Sequence, residues 1–358
     1  MSSPGVRSCA RAPVRVDPAG GGTDAPPFCI DHGGMVVNFG VNLHAYASVD
    51  RLARGEGVVI YSSDLDTGVE ATSIAALPEQ GRLEFLTGFV RRLVPEEDSV
   101  LLVTDSDVPA GGGLGGSGAM GVAVVAAIDR AYGNTRSRAE IAALANEIER
   151  VDLGYPGGSQ DSYGAALGGM NRLEYHEGGG MSPHGIAVGV DTRRALERAS
   201  LLVYTAAAHV SGSIHEDIRR SYAEDGSPTV RAMLSLREQA SKMCVALEAG
   251  NIGGYIDALN ESCRSLYALH PSCDSEDHQR LFRELDSLIL GGKTCGAGGG
   301  GFALLHTRPG RRGECIRRAR RIGARVWPLT IDLEGVVSWT EDAASDEEIR
   351  RYRERIAV

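Results

Sequence analysis

The chain has 358 residues, 42% apolar and 23% charged, which is enough for two domains and a sizeable core. A net charge of −10 argues against a general nucleic-acid binder, and no apolar run is long enough for a membrane span. Seven cysteines, an odd number without a C-x-x-C pair, fit reduced thiols in a cytoplasmic protein, and the polar residues 1–11 lack the apolar core of a secretory signal.

In chain order, residues 11–24 alternate across Val14, Arg15 and Val16, predicting a strand that ends in a glycine turn at Gly20, Gly21 and Gly22, with Asp24 beyond. A charged Arg15 beside that turn suits a polyol or phosphate site; a solvated edge strand with a hairpin turn suits the same residues. Residues 35–50 continue as strands, and residues 58–61 form another. Residues 83–93 read as a helix stopped by Pro95. Val100, Leu101, Leu102 and Val103 predict one buried strand. It leads into P-A-G-G-G-L-G-G-S-G-A-M-G at 109–121, and residues 122–132 then form a small, apolar, packed helix.

A glycine-rich turn that feeds a helix start offers backbone N–H groups with no intrahelical acceptor, at the positive end of the helix dipole. That is a seat for phosphate, and short side chains keep the backbone within reach of it. The alternative is a tight turn that only packs the helix closely. The G-x-G-x-x-G match at Gly113–Gly118 lacks the strand-end acid of a dinucleotide fold, since Glu140 falls within a predicted helix, so an NAD-dependent dehydrogenase is a weak reading. No lysine completes a Walker A loop, and Ala119 breaks a nucleophile elbow.

Residues 137–150 form a helix on the spacing of Ile141, Leu144, Ala145 and Ile148. On spacing alone its terminal Glu149 is a surface carboxylate paired with Arg150. Asp161 follows Pro156, Gly157 and Gly158; it either caps a helix or accepts a proton from a bound hydroxyl. Gly178, Gly179 and Gly180 predict an inter-domain turn, dividing the chain into 1–180 and 181–358. The second half opens on a strand at 201–204 and runs through long helices to about Leu290. A second glycine-rich turn at 291–306 enters a strand, followed by a helix at 314–322, a strand at 326–332 and a terminal helix at 346–356. The histidines at 176, 184, 209 and 215 lack the spacing of a metal site.

Three separated segments together resemble the GHMP kinase family of small-molecule kinases. Its central motif, P-x-x-x-G-L-G-S-S-A-A, is matched from Pro109 to Ala119, its first motif by residues 11–24, and its third by residues 293–302. Within the family, A-G-G-G-T-D at 19–24, G-G-S-Q-D-S-Y at 157–163, L-G-G-M-N at 167–171 and K-T-C-G-A-G-G-G-G-F at 293–302 are similar to D-glycero-D-manno-heptose 7-phosphate kinases. These phosphorylate the anomeric hydroxyl of a heptose 7-phosphate. The resemblance implies an α/β (α+β) chain of two domains, an N-terminal one like ribosomal protein S5 domain 2 and a C-terminal ferredoxin-like one.

It also implies ATP on Pro109, Gly111, Gly112, Gly113, Gly115, Gly116, Ser117 and Gly118, with Mg²⁺ on Ser117 and Glu149. Asp161 would be the catalytic acid–base or orienting group and Arg15 its basic partner. The sugar would lie on Gly21, Gly22, Thr23, Asp24, Gly158, Gln160, Gly298 and Gly299. The implied partner is a sugar or sugar phosphate, with neither nucleic acid nor membrane, and the oligomeric state is open, a homodimer included. Gly116 replaces the loop's usual first serine. Ser159 stands where the heptose kinases commonly carry lysine, and residues 204–209, ending in His209, lack the arginine those enzymes tend to have. A fucose- or galactose-type kinase is therefore the alternative, and a nucleotide-binding pseudokinase is another, opposed by the presence of Arg15, Ser117, Glu149 and Asp161.

Overall fold

A computed structural model describes residues 5–205, 211–224 and 226–356. His209, Asp225 and the first four residues lie outside them. The chain is α/β, built around two sheets.

The strands, in chain order, are β1 (Val6–Ala19), β2 (Gly34–Leu52), β3 (Val58–Ser62), β4 (Thr67–Ala71), β5 (Ser99–Ser106) and β6 (Met170–Tyr175). They continue with β7 (Met181–Gly185), β8 (Ser200–Tyr204), β9 (Ile289–Thr294), β10 (Phe302–Thr307), β11 (Arg325–Pro328) and β12 (Val337–Asp342). The first sheet runs β12-β1-β2-β5-β3-β4, with β6 on the early half of β2 and β7 on β6. The second runs β11-β8-β10-β9, all antiparallel. In chain order it is strand, helices, two strands, helix, strand, which is the ferredoxin-like pattern.

Between the first sheet and the helices at 84–93, 138–147 and 160–167 lies the helix Gly116–Tyr132, apolar on almost every side: Ala119, Val122, Ala123, Val124, Val125, Ala127 and Ile128 are all buried. Such a helix can only be central. Its small side chains let it approach Val14, Val16, Phe39 and Ala47 of β1 and β2 within one core. It ends at Gly133, whose φ of 72° suits the left-handed cap that glycine provides.

Two expectations are corrected, and one strand had none. Gly178–Gly180 does not separate domains but turns the β6–β7 hairpin, so a cut at 180 would sever a strand pair of the first sheet. The last strand, β12, returns from the second half to pair with β1, and sequence reading missed it. The strand expected at 326–332 stops at Pro328, and the chain then crosses to the first sheet, where Ile331 bridges Val41 of β2.

Candidate functional site

The glycine turn joins β5 to the helix Gly116–Tyr132. Its carbonyls are turned back onto the fold. The Arg15 N–H donates to Leu114 O at 2.9 Å, and the Phe302 N–H donates to Gly112 O at 2.9 Å. Two strands, one from each sheet, thus fix the loop from behind. Gly113, at φ 84°, has no room for a side chain: a Cβ there would lie 2.7 Å from Cys295 O. The helix begins after Gly115 without any side-chain cap, so its first N–H groups remain available to a ligand.

Arg15 is 4% exposed on β1, between two irregularities in the β1–β2 register, and such bulges re-aim side chains. It donates from Nε and Nη2 to Asp161 Oδ1 at 2.9 and 2.6 Å, and from Nη1 to Gly113 O at 2.6 Å. One guanidinium therefore joins the loop to the acid. Burial and the carboxylates of Asp161 and Asp17 act in opposite directions on it, and the carboxylates win, raising its pKa. Asp161 stands in the first turn of the helix Gln160–Leu167, where it makes no capping bond. Its Oδ2 faces Arg150 Nη2 at 3.9 Å. Burial pushes the Asp161 carboxyl up, but Arg15 and Arg150 together more than offset this and hold it below the ordinary carboxylate range.

Glu149 is not a surface carboxylate. It lies in a wide helical turn, Ile148–Asp152, and is 2% exposed. Its Oε2 is 3.6 Å from Arg150 Nη2 and has no hydrogen-bond donor, and the Ser117 hydroxyl is near enough to favour the charged carboxylate. Burial raises its pKa against the pull of Arg150. A buried carboxylate oxygen without a donor, beside a hydroxyl at a helix start, is the donor set a hard cation prefers. Among the described residues no three His, Cys, Asp or Glu side chains group for a metal, so an ion here would complete its shell from a ligand's oxygens and water.

Asp24 accepts from Gly22 N at 3.1 Å, Gln160 N at 3.1 Å and Gln160 Nε2 at 3.3 Å. Burial and the nearby charge of Asp161 raise its pKa.

One cavity of about 460 Å³ collects most of these residues: Arg15, Gly21, Gly22, Asp24, Pro109, Gly111, Gly112, Gly113, Gly115, Gly116, Ser117, Glu149, Gly158, Gln160 and Asp161. Four expected residues do not line it. Thr23 is fully buried and ties Gly20 O to Met35 N. Gly118 packs behind the loop against Asp161, and Gly298 and Gly299 lie against Cys273 and Ile214, leaving Gly296 and Ala297 at the cavity.

Sequence reasoning missed three features. One end of the cavity is apolar, with Leu65, Leu83, Phe85, Leu86 and Met120. Arg150 and His215 line it as well. Behind it, Lys293 Nζ of β9 meets Asp17 Oδ2 of β1 at 3.1 Å, with both side chains at most 1% exposed, and Asp17 Oδ1 accepts from Gly296 N at 2.9 Å. Lysine at 293, in a chain with only one other, was the available signal for a compact buried cation.

Residues 84–169 match the GHMP kinases N terminal domain. A D-glycero-alpha-D-manno-heptose 7-phosphate kinase of Campylobacter jejuni is 30% identical over 92% of this chain and 98% of its own. The chain belongs to the GHMP kinase family. As a GHMP kinase it is a phosphotransferase with an alcohol group as acceptor, ATP-dependent, and a sugar kinase by its relatives. Among solved structures, a D-glycero-D-manno-heptose 1-phosphate kinase from Bacteroides thetaiotaomicron is 26% identical, with a TM-score of 0.77 over 93% of this chain and 98% of that one. Galactokinase of Lactococcus lactis, solved with galactose, shares the GHMP kinase fold at 15% identity, with a TM-score of 0.72 over 93% of this chain and 95% of that one. Among the described residues no helix is long and apolar enough to cross a membrane.

Proposed function

We propose that this GHMP kinase transfers the γ-phosphoryl group of ATP to the anomeric hydroxyl of a heptose 7-phosphate, giving the 1,7-bisphosphate. The observation that carries the reading is the single cavity in which the loop amides, the Ser117–Glu149 pair, the Arg15–Asp161 pair and Asp24 meet. Phosphoryl transfer asks the protein for positioning and charge stabilisation more than for covalent chemistry.

The apolar end formed by Leu65, Leu83, Phe85, Leu86 and Met120 has the character a purine base needs. From there the phosphates would run along the N–H groups of residues 111–117 to the helix start. Ser117 Oγ and Glu149 would hold Mg²⁺, which when bound neutralises charge on the β- and γ-phosphates. Asp24, rigid through its three N–H donors, would accept from sugar hydroxyls beside Gly21, Gly22, Gly158 and Gln160. Asp161 Oδ2, the oxygen not occupied by Arg15, would receive the hydrogen of the attacking hydroxyl. Arg15 and Arg150 flank the position where charge develops.

A fucose- or galactose-type acceptor is favoured by one observation. Ser159, at the position of the expected lysine, hydrogen-bonds Tyr175 Oη at 2.8 Å and brings no charge to the sugar end. Ile218, Leu266 and Leu269 line that region too. ADP release over a panel of sugars and sugar phosphates, with phosphorus NMR of the product, tests both readings. Turnover of heptose 7-phosphate is expected. Turnover restricted to unphosphorylated fucose or galactose selects the second reading, and turnover only on a non-sugar alcohol overturns both.

A further inference from the structure

The helix Ser211–Tyr222 lies over the sugar end of the cavity. Ile214 and Ile218, 3% and 7% exposed, anchor it in an apolar cluster with Phe28, Leu236, Leu266, Leu269 and Cys273. At its far end Tyr222 Oη donates to Asp31 Oδ2 at 2.7 Å. Between the two isoleucines sits His215, and it lines the same cavity as Asp161, Asp24, Arg15 and Arg150. An imidazole beside the reacting centre is not needed for binding ATP, and none of the roles above uses it.

We propose that His215 is the final acceptor of the proton released by the sugar hydroxyl, receiving it through Asp161. The inference rests on the phosphoryl-transfer reading. The acceptor oxygen forms its bond to the γ-phosphorus as the bond from that phosphorus to the β,γ-bridging oxygen breaks, and that electron pair leaves with ADP. The hydroxyl proton passes to Asp161 Oδ2 and then, across a water in the cavity both residues line, to an imidazole nitrogen of His215, which restores the carboxylate. The imidazolium gives its proton to water as product leaves. His215 thus acts through Asp161 and does not touch the reacting atoms.

Two properties of the site call for such a relay. Asp161 is a poor resting place for a proton, because Arg15 occupies its Oδ1 with two N–H donors and Arg150 stands near its Oδ2. His215 is kept neutral and ready to accept: burial lowers its pKa, with Asp161 opposing and Arg150 and Arg15 adding to the burial effect. Asp24, Asp64 and Glu149 are the other carboxylates lining the cavity; Asp24 is held by its N–H donors and Glu149 stands beside Arg150. On the histidine's own helix, Glu216 is paired with Arg219 at 2.7 Å, and Asp217 faces Arg220 at 3.8 Å and His270 at 4.0 Å.

The test has two parts. Proton NMR of the His215 ring in the intact protein follows its titration with and without Asp161→Asn; the pKa is expected to fall by about half a pH unit or more once the carboxylate is neutral. An unchanged titration overturns the relay without needing any turnover. In the second part, kcat/KM against pH should fall on the acid side in the wild type as His215 protonates. His215→Gln should lose that limb and about tenfold in kcat at neutral pH, with MgATP affinity by calorimetry unchanged. A working wild type with an indifferent His215→Gln sinks the relay alone, whereas a wild type that phosphorylates no sugar sinks the kinase reading beneath it.

Discussion

Arg15 spends its three donor nitrogens on two partners, Asp161 Oδ1 and the Gly113 carbonyl, and a lysine could not reproduce that fork. The acid is therefore aimed by a residue 146 positions away. Replacing Asp161 by Asn should lower kcat by about 10²–10⁴-fold while MgATP binding persists, as measured by single-turnover rates and calorimetry. Glu149→Gln keeps the shape but removes the charge beside Ser117. The Mg²⁺ concentration for half-maximal rate should rise by about tenfold or more in a metal titration. Arg15, Asp24, Ser117 and Asp161 were candidates in the sequence because each lies in, or within five residues of, a glycine run that belongs to a matched motif. Arg150 and His215 could not: neither belongs to a matched motif, and only folding brings Arg150 to Asp161 and His215 to the same cavity.

At the scale of elements, the site depends on how closely the helix Gly116–Tyr132 approaches the helix Gln160–Leu167. Gly118 is the contact: a Cβ there would lie 2.5 Å from Asp161 Cβ and 2.9 Å from its backbone carbon. Gly118→Ala should push the acid off its position and overpack the seam, at a cost of about 1–3 kcal/mol in urea unfolding. Its kcat should fall more than its affinity for MgATP, since the added methyl meets Asp161 and Ser162 and not the loop. The central helix was plain in the sequence from its unbroken small apolar run. The early half of β1 was not, because Ser8, Cys9 and Ala10 carry little strand preference and are held by β12, far along the chain.

For the whole molecule, the decisive tie is between the sheets. Asp17 on β1 and Lys293 on β9 form a buried ion pair, and the same carboxylate fixes Gly296 at the cavity. Lys293→Met leaves a buried carboxylate without its cation and should cost about 3–5 kcal/mol by urea unfolding. Pairing it with Asp17→Asn should restore much of that loss, because the amide oxygen still accepts from Gly296. The third glycine motif was visible in the sequence, but its anchor was not, since nothing local links position 293 to position 17.

The same burial has a practical outcome. The chain owns two lysines, and Lys242, paired with Glu238 at 2.7 Å, is 58% exposed while Lys293 is 1% exposed. An amine-reactive reagent should mark the native side chains at Lys242 and spare Lys293 until the two sheets part. Mass spectrometry of that second label, timed after adding reagent, would act as a clock for how often the interior seam opens.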